Sequence, residues 1–264
     1  PGTADVSGQI KVEYVDMPVA DHQGASTDAA TAMAAQGVGC IVTLGGDGTN
    51  RVVAKGSGDV PIVPISTGTN NVFPANTEGT LAGIAAGALA IGSLRIEEAC
   101  RRSKRIDIYV DGNRQDDALV DAAVSTQMFV GARAVWDTRT LHSMFLTRAE
   151  PASIGLSSIG SRLQPIAIDD PYGLYIRFSG NTGPGATTVS APIAPGSVVD
   201  VEITDWRRIS AGEKVPIQLT PGTIALDGER EVELLPEQDV YAEMTIDGPW
   251  VVDVPKALTL IATK

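Results

Sequence analysis

"IVTLGGDGTNRVV", Ile41 to Val53, and its echo "VPISTGTNNVFP", Val63 to Pro74, decide how this chain is read. Each is a short apolar run that stops abruptly at glycine, threonine and an aspartate or asparagine. Apolar runs of this length, bounded by turn residues, fit fully buried strands, so strands are expected over 38–44 and 60–65. Helices are expected between and around them. "STDAATAMAAQG" offers Ser26 or Thr27 as N-cap, Asp28 in the first turn and Gly37 as the stop. A short helix runs from about Thr49 to Lys55. In "EGTLAGIAAGALAI" the helical spacing puts Leu81, Ile84, Ala85, Ala88 and Leu89 on one face, and Gly79, Gly83 and Gly87 recur every four residues, as for a close approach to a sheet. Upstream, "IKVEYV" (Ile10 to Val15) reads as another strand. Strand and helix alternating, with wholly apolar strands, predict a parallel sheet covered on both faces.

Near Ser103 the texture changes. "RIDIYVDGNRQ" alternates as a strand does and carries Asp111-Gly112, a strong hairpin signal. "GLYIRF", "SVVDVEIT", "PIQL", "TIALDGEREVELL", "YAEMTI" and "WVVDV" continue as short strands punctuated by glycine and proline, while 134–161 has some helical character. The expected fold is therefore α/β plus all-β: a Rossmann-like parallel α/β domain over 1–104, then an antiparallel β-sandwich over 105–254. Residues 255–264 are expected as a strand that returns to the first domain. Three parallel strands are few for a doubly wound sheet, so a first strand and its loop are expected upstream of Pro1.

Asp and Glu outnumber Lys and Arg by 32 to 20, a formal charge of -12. Such a surface repels nucleic-acid backbones and anionic lipid, so neither nucleic acid nor a membrane is the expected partner. An anion would have to be held locally, by backbone amides or a few placed cations. Cys40 and Cys100, the two cysteines, read as small buried thiols without a disulfide framework, in keeping with a cytoplasmic protein. No 18-residue apolar span occurs.

Parallel α/β sheets bind ligands beyond the carboxyl ends of their strands, where both quoted loops lie. Gly45, Gly46 and Gly48 leave no Cβ in the way and can take positive φ, so backbone N–H groups can close on phosphate oxygens. Thr49 opens a helix whose N-terminal amides favour an anion. In the second loop Gly68 supplies the turn, and Thr67, Thr69, Asn70 and Asn71 supply neutral donors and acceptors. Asp47 is the odd member. A carboxylate in a phosphate loop repels the ligand unless a divalent cation or a transferable proton is involved, and phosphoryl transfer uses both. The bland alternative is a turn with an Asx cap, which is how Asp111, Asp227 and Asp247, each also followed by glycine, are mainly read. No GxxxxGK[ST], GxGxxG, HExxH or GxSxG motif occurs. With His22 and His142 as the two histidines, no zinc cluster can be assembled by spacing.

"GGDGT", the Gly/Thr/Asn loop and a late "DGE" in a β-rich domain resemble the superfamily of NAD kinases and diacylglycerol and sphingoid lipid kinases. "VTLGGDGTNRVVAKG", "VPISTGTNNVFP", "GARAVWD" and "TRAEPASIGLSSI" are similar to one branch, the ATP-NAD kinase-like proteins called acetoin-catabolism protein X. The resemblance implies a two-domain kinase with its site in the cleft, using ATP and Mg²⁺, with NAD or a related nucleotide-like hydroxyl compound as acceptor. Asp47 would be the catalytic or metal-linked carboxylate, joined by Asp227 and Glu229 of "DGE". Gly45, Gly46, Gly48, Thr49, Thr67, Gly68, Thr69 and Asn70 would hold nucleotide, and Asn71 and Asp121 the acceptor. In "ALVDAAVS", Val120 stands where NAD kinases carry an asparagine, so NAD should bind weakly and a Val120→Asn change should restore affinity. Arg133, Arg139 and Arg148 are candidate phosphate clamps or partners of surface carboxylates, and His142 reads as structural. The rival readings are a non-catalytic nucleotide sensor and a lipid-kinase-like enzyme. Small nucleotides and a second copy of the chain are the expected partners.

Overall fold

The computed structural model describes residues 12–18, 24–127, 138–179 and 186–263. In chain order the first part runs α1 (Gly24–Ala35), β1 (Ile41–Gly45), α2 (Asp47–Ser57), β2 (Ile62–Ser66), α3 (Gly79–Ala90), α4 (Ile96–Ala99) and β3 (Cys100–Arg102). Then come β4 (Arg105–Val110), β5 (Asn113–Ala118), β6 (Asp121–Ser125), β7 (Leu141–Leu146), α5 (Ser157–Leu163), β8 (Tyr172–Phe178), β9 (Thr187–Ala194) and β10 (Ser197–Ser210). The chain ends with β11 (Lys214–Pro216), β12 (Gly222–Leu226), β13 (Glu229–Leu234), β14 (Val240–Thr245), β15 (Trp250–Val252) and α6 (Val254–Ala262). Among the described residues no helix is long and apolar enough to cross a membrane.

The first sheet has the order β1-β2-β15-β3. β1 and β2 run parallel with Ile41 opposite Ile62 and Gly45 opposite Ser66, so both glycine-rich loops leave the same edge. β15 adds parallel to β2 and pairs antiparallel with β3. Two antiparallel sheets follow, β13-β12-β6-β7-β8-β10-β9 and β11-β14-β4-β5. Ile106 and Ile108 of β4 and Val240 and Met244 of β14 meet Val124, Phe145, Ile224 and Leu226 of the larger sheet in one buried cluster. The other face of that sheet packs Met144, Leu146, Leu174 and Ile176 with Ile159 of α5. The fold is thus an α/β layer joined to a β-sandwich, as the sequence predicts.

Several local expectations are corrected. Residues 12–15 of the predicted strand 10–15 have no regular structure, and Val12 and Tyr14 are exposed; 10 and 11 lie outside the described residues. Among the described residues β1 is covered on one face, with Ile41, Thr43 and Gly45 buried and Val42 and Leu44 exposed. α1 already includes Ser26 and Thr27, and Thr27 donates its hydroxyl to the carbonyl of Val52 (2.7 Å) instead of capping its own helix. α1 and α2 touch at Gly56, where a Cβ would lie 2.3 Å from the carbonyl oxygen of Thr27. α3 buries Ala82, Ala85, Ala86 and Leu89 and exposes Leu81 and Ile84. Small residues let α3 lie close, so the alanines face inward. Gly79, Gly83 and Gly87 have open space where a Cβ would be; the close approach is made by Gly39, whose Cβ would sit 2.6 Å from Cα of Ala90.

Within 134–161, residues 134–137 lie outside the described residues, Leu141–Leu146 form β7 between β6 and β8, and the helical character is confined to the short turn Thr138–Thr140 and the start of α5. The strand expected over 255–264 is instead α6, and the strand that joins the first sheet is β15, in the "WVVDV" stretch that the sequence reading placed in the sandwich. Asp253 caps α6 by accepting from the amide of Lys256, and Pro255 lies in the first turn, both helix-starting signals. α6 packs Val254 and Ala257 into the cluster that holds Val63, Leu89 and Val252.

Candidate functional site

Asp47 is the first residue of α2, and Gly46 precedes it as an N-cap that brings no side-chain hydrogen bond. The asparagine one turn on organises the loop instead. Asn50, fully buried, donates its amide to the carbonyl of Gly46 (2.8 Å) and accepts from Thr43 Oγ1 (2.5 Å). Gly45, Gly46 and Gly48 do not have the positive φ expected of them; they are glycine because other groups occupy the place of a Cβ. At Gly46 a Cβ would sit 2.8 Å from Oδ1 of Asn71, and at Gly48 3.2 Å from the carboxylate of Glu229.

The second loop bends back onto the first. Asp47 accepts the N–H of Val72 on both oxygens (3.0 and 3.1 Å) and that of Phe73 at 2.7 Å. Asn71 donates to Ser66 Oγ at 2.8 Å, which holds its carboxamide between Gly46 and Gly68. Asn71, expected to meet the acceptor, is therefore the wedge between the two loops. Thr67, Gly68 and Thr69 are exposed beside it. Burial pushes the Asp47 carboxyl above the usual carboxylate range, opposed by the amides of Phe73 and Val72 and by the charge of Arg148.

The sandwich supplies the opposite wall through the turn between β12 and β13. Asp227 and Gly228 both have positive φ (51° and 84°), the geometry of a type I′ hairpin. The turn reading of "DGE" holds, and the turn stands beside the "GGDGT" loop. Asp227 turns its carboxylate inward to accept from the amides of Leu119 (2.9 Å), Val120 (2.7 Å) and Asp121 (3.1 Å), and Gly228 lets Glu229 reach Gly48. Burial pushes Asp227 up to about 7, with the charge of Asp47 adding to the rise and the charge of Arg51 opposing it. Asp121 is buried, its Oδ1 has no hydrogen-bond partner, and burial together with Asp227 and Asp47 holds it well above the carboxylate range. Three carboxyl groups far apart in sequence are close enough here to act on one another.

Two arginines accompany them. Arg51 of α2 pairs with Asp116 (3.2 Å) and lies 3.9 Å from Asp227, and Lys55 one turn on reaches the same Asp116 oxygen at 2.6 Å. Arg148, directly after β7, is buried with its guanidinium 5.3 Å from the centre of the Phe73 ring and its Nη1 3.4 Å from the carbonyl of Val72. Sequence reasoning passed over Arg51 and Asn50; both lie in the string after "GGDGT" and occupy the buried side of α2, which is the signal that could have found them. Arg133 lies outside the described residues, and Arg139 sits in the short 3-10 turn Thr138–Thr140. Val120 does not face a ligand: its side chain is fully buried with Phe73, Leu119, Val53 and Ile62.

Among the described residues no three His, Cys, Asp or Glu side chains are grouped to hold a metal ion. Each oxygen of Asp47 and Asp227 already accepts a backbone amide. These donors do not fit a resident magnesium ion held by protein carboxylates.

Residues 104–247, more than half the chain, match the acetoin catabolism protein X C-terminal domain. The chain belongs to the acetoin catabolism protein X family. Residues 5–92, which carry both glycine-rich loops, match the ATP-NAD kinase N-terminal domain. The chain is 42% identical over 238 residues to the acetoin catabolism protein X of Cupriavidus necator, covering 89% of this chain and 66% of that relative's length. A solved structure, the yeast NADH kinase complexed with NADH, is similar with a TM-score of 0.48 and 14% identity, over 85% of this chain and 65% of that one.

Proposed function

We propose that this chain is an ATP-dependent small-molecule kinase of the NAD kinase-like kind, with NAD or a related nucleotide-like hydroxyl compound as acceptor. One observation carries the reading. Asp47 stands at a helix N-terminus at the carboxyl edge of a parallel sheet, and the Asp227–Gly228–Glu229 turn closes over the neighbouring Gly48 from the other domain. The match of residues 5–92 to an ATP-NAD kinase domain supports the same choice of nucleotide.

In this reading the γ-phosphoryl group of ATP lies against the amides that open α2, where the helix end favours negative charge. The acceptor hydroxyl faces Asp47. The acceptor oxygen forms a bond to phosphorus as the bond to the β-phosphate bridging oxygen breaks; ADP leaves and the hydroxyl proton passes to Asp47. A carboxylate raised by burial is a better base at neutral pH than an exposed one. In this reading Asp121, whose buried Oδ1 has no hydrogen-bond partner, accepts from an acceptor hydroxyl. Magnesium would arrive with the nucleotide phosphates, as it commonly does in such sites.

The second reading, a nucleotide sensor without turnover, has its own observation: the oxygens of Asp47 and Asp227 are engaged by backbone amides, as in a structural clamp. Measuring ADP release from ATP, with and without a panel of nucleosides, NAD and small polyols, separates the two. Acceptor-dependent ADP release supports the kinase; ATP binding without release under every condition retires it in favour of the sensor.

A further inference from the structure

Arg148 is a charged side chain with little to hold. It is 4% exposed, and burial lowers its pKa. Among the described residues its Nε has no hydrogen-bond partner, and its hydrogen bond is the long 3.4 Å contact from Nη1 to the carbonyl of Val72. Glu150, Asp47 and Asp227 lie near enough to act on it by charge, yet no ion pair links any of them to it. Asp47 and Asp227 are satisfied by the backbone amides of Val72, Phe73, Leu119, Val120 and Asp121 instead. A guanidinium carries five donors in a planar fork, so most of this one's hydrogen-bonding capacity is unspent. Burying an arginine without a partner is costly.

Its position says what the partner is. Asp47 accepts the N–H groups of Val72 and Phe73, while Arg148 donates to the carbonyl of Val72 and covers the ring of Phe73. The arginine and the aspartate therefore grip the same two residues. An anion bound at Arg148 is an anion beside the GGDGT loop. Arg101 lies close enough to add positive charge, and its own Nε is also without a partner. The planar fork suits a tetrahedral oxyanion bidentately.

We propose that Arg148 is the anion-binding group of this cleft and that its ligand is a phosphoryl group of a nucleotide or polyphosphate. The proposal rests on the kinase reading for the identity of the nucleotide, but phosphate binding can be measured without turnover.

The test is a calorimetric titration of the full chain with inorganic tripolyphosphate, with tricarballylate at matched ionic strength as the carboxylate control. Arg148→Met should bind tripolyphosphate at least about tenfold more weakly than the unaltered protein, the loss of one charge-assisted contact. Arg148→Lys should fall between them, because it keeps the charge and loses the fork. Equal affinity in Arg148→Met, no binding by the unaltered protein, or equal binding of tricarballylate would each overturn the proposal. If Arg148→Met does not fold, the Nε–H resonance of Arg148 in arginine-labelled protein, assigned by its absence in Arg148→Lys, gives the answer. A shift on adding tripolyphosphate supports the clamp, and an unmoved resonance overturns it. Binding through Arg148 without ADP release under any condition would uphold the clamp and retire the kinase.

Discussion

Asp227, in the turn after β12, accepts the amide hydrogen of Val120 at 2.7 Å, 107 residues away in sequence. Two further amides, of Leu119 and Asp121, point at the same carboxylate. The turn is thus tied to the start of β6, which also carries Asp121. Replacing Asp227 by alanine strands three buried donors, and each unsatisfied buried group costs about 1–3 kcal/mol. Asp227→Ala should therefore lose more than about 3 kcal/mol in urea unfolding, while Asp227→Asn, which keeps an acceptor oxygen, should lose less. Equal midpoints for the alanine variant and the unaltered protein would show that the turn is not tied down in this way.

The same carboxyl predicts a pH dependence of stability. Its folded pKa of about 7 lies above the unfolded carboxylate value near 4, so between those pH values the folded state binds more protons than the unfolded one. Stability then falls as pH rises from about 4 to about 7. Asp121 and Asp47 are raised as well and slope the same way. Asp227→Asn should flatten the curve in that window, as read from urea midpoints at pH 5 and pH 7.5. An unchanged slope would place the titrating group elsewhere.

Asp47→Asn tests the proton acceptor. The carboxamide oxygen can still accept the amide of Phe73, so the loop should keep its shape, whereas the base is gone. Turnover should drop by at least about 10²-fold, the scale of general-base removal, with the urea midpoint shifted by less than about 2 kcal/mol. A variant that folds and turns over normally would leave Asp47 as a loop clamp alone.

Glycines separate the packing roles. A Cβ at Gly56 would lie 2.3 Å from a backbone oxygen of α1, and backbone cannot step aside as a side-chain end can. Gly56→Ala should cost about 1–3 kcal/mol or more by overpacking. Gly83 and Gly87 have open space and sit inside α3, so alanine at each should stabilise by about 0.5–1 kcal/mol through helix propensity. Thermal melts of the three variants give the order directly.

What the sequence disclosed follows the physics of each signal. The glycine loops were legible because a buried strand that stops at Gly-Gly-Asp has few alternative uses, and the order of strands and helices fixed the layer type. Asp227 was legible as a turn through Asp-Gly, but its inward carboxylate depends on amides 107 residues away, which no local pattern carries. Likewise the face of α3 is set by alanines that let it lie close, against the larger Leu81 and Ile84 that a periodicity count favours. Arg148 could be named from "TRAEP", but not its burial against Phe73, because β7 had to form first.

Position 120 gives the sharpest contrast between resemblance and structure. NAD kinases carry an asparagine there, so by resemblance Val120→Asn should restore NAD affinity. In the fold the Val120 side chain has no exposure and packs with Phe73, Leu119, Val53 and Ile62. The backbone of the same residue donates to Asp227 and accepts from the amide of Thr147 at 2.9 Å, so the side chain cannot turn toward the cleft without breaking both. An amide buried among these apolar groups would leave its donors and acceptor unpaired, at about 1–3 kcal/mol. Val120→Asn should therefore lower the urea midpoint by that amount and leave NAD affinity no tighter than in the unaltered protein. Calorimetric titration with NAD, run beside the urea curve, checks both halves. Tighter NAD binding at an unchanged midpoint would mean that the start of β6 rearranges to present position 120 to a ligand.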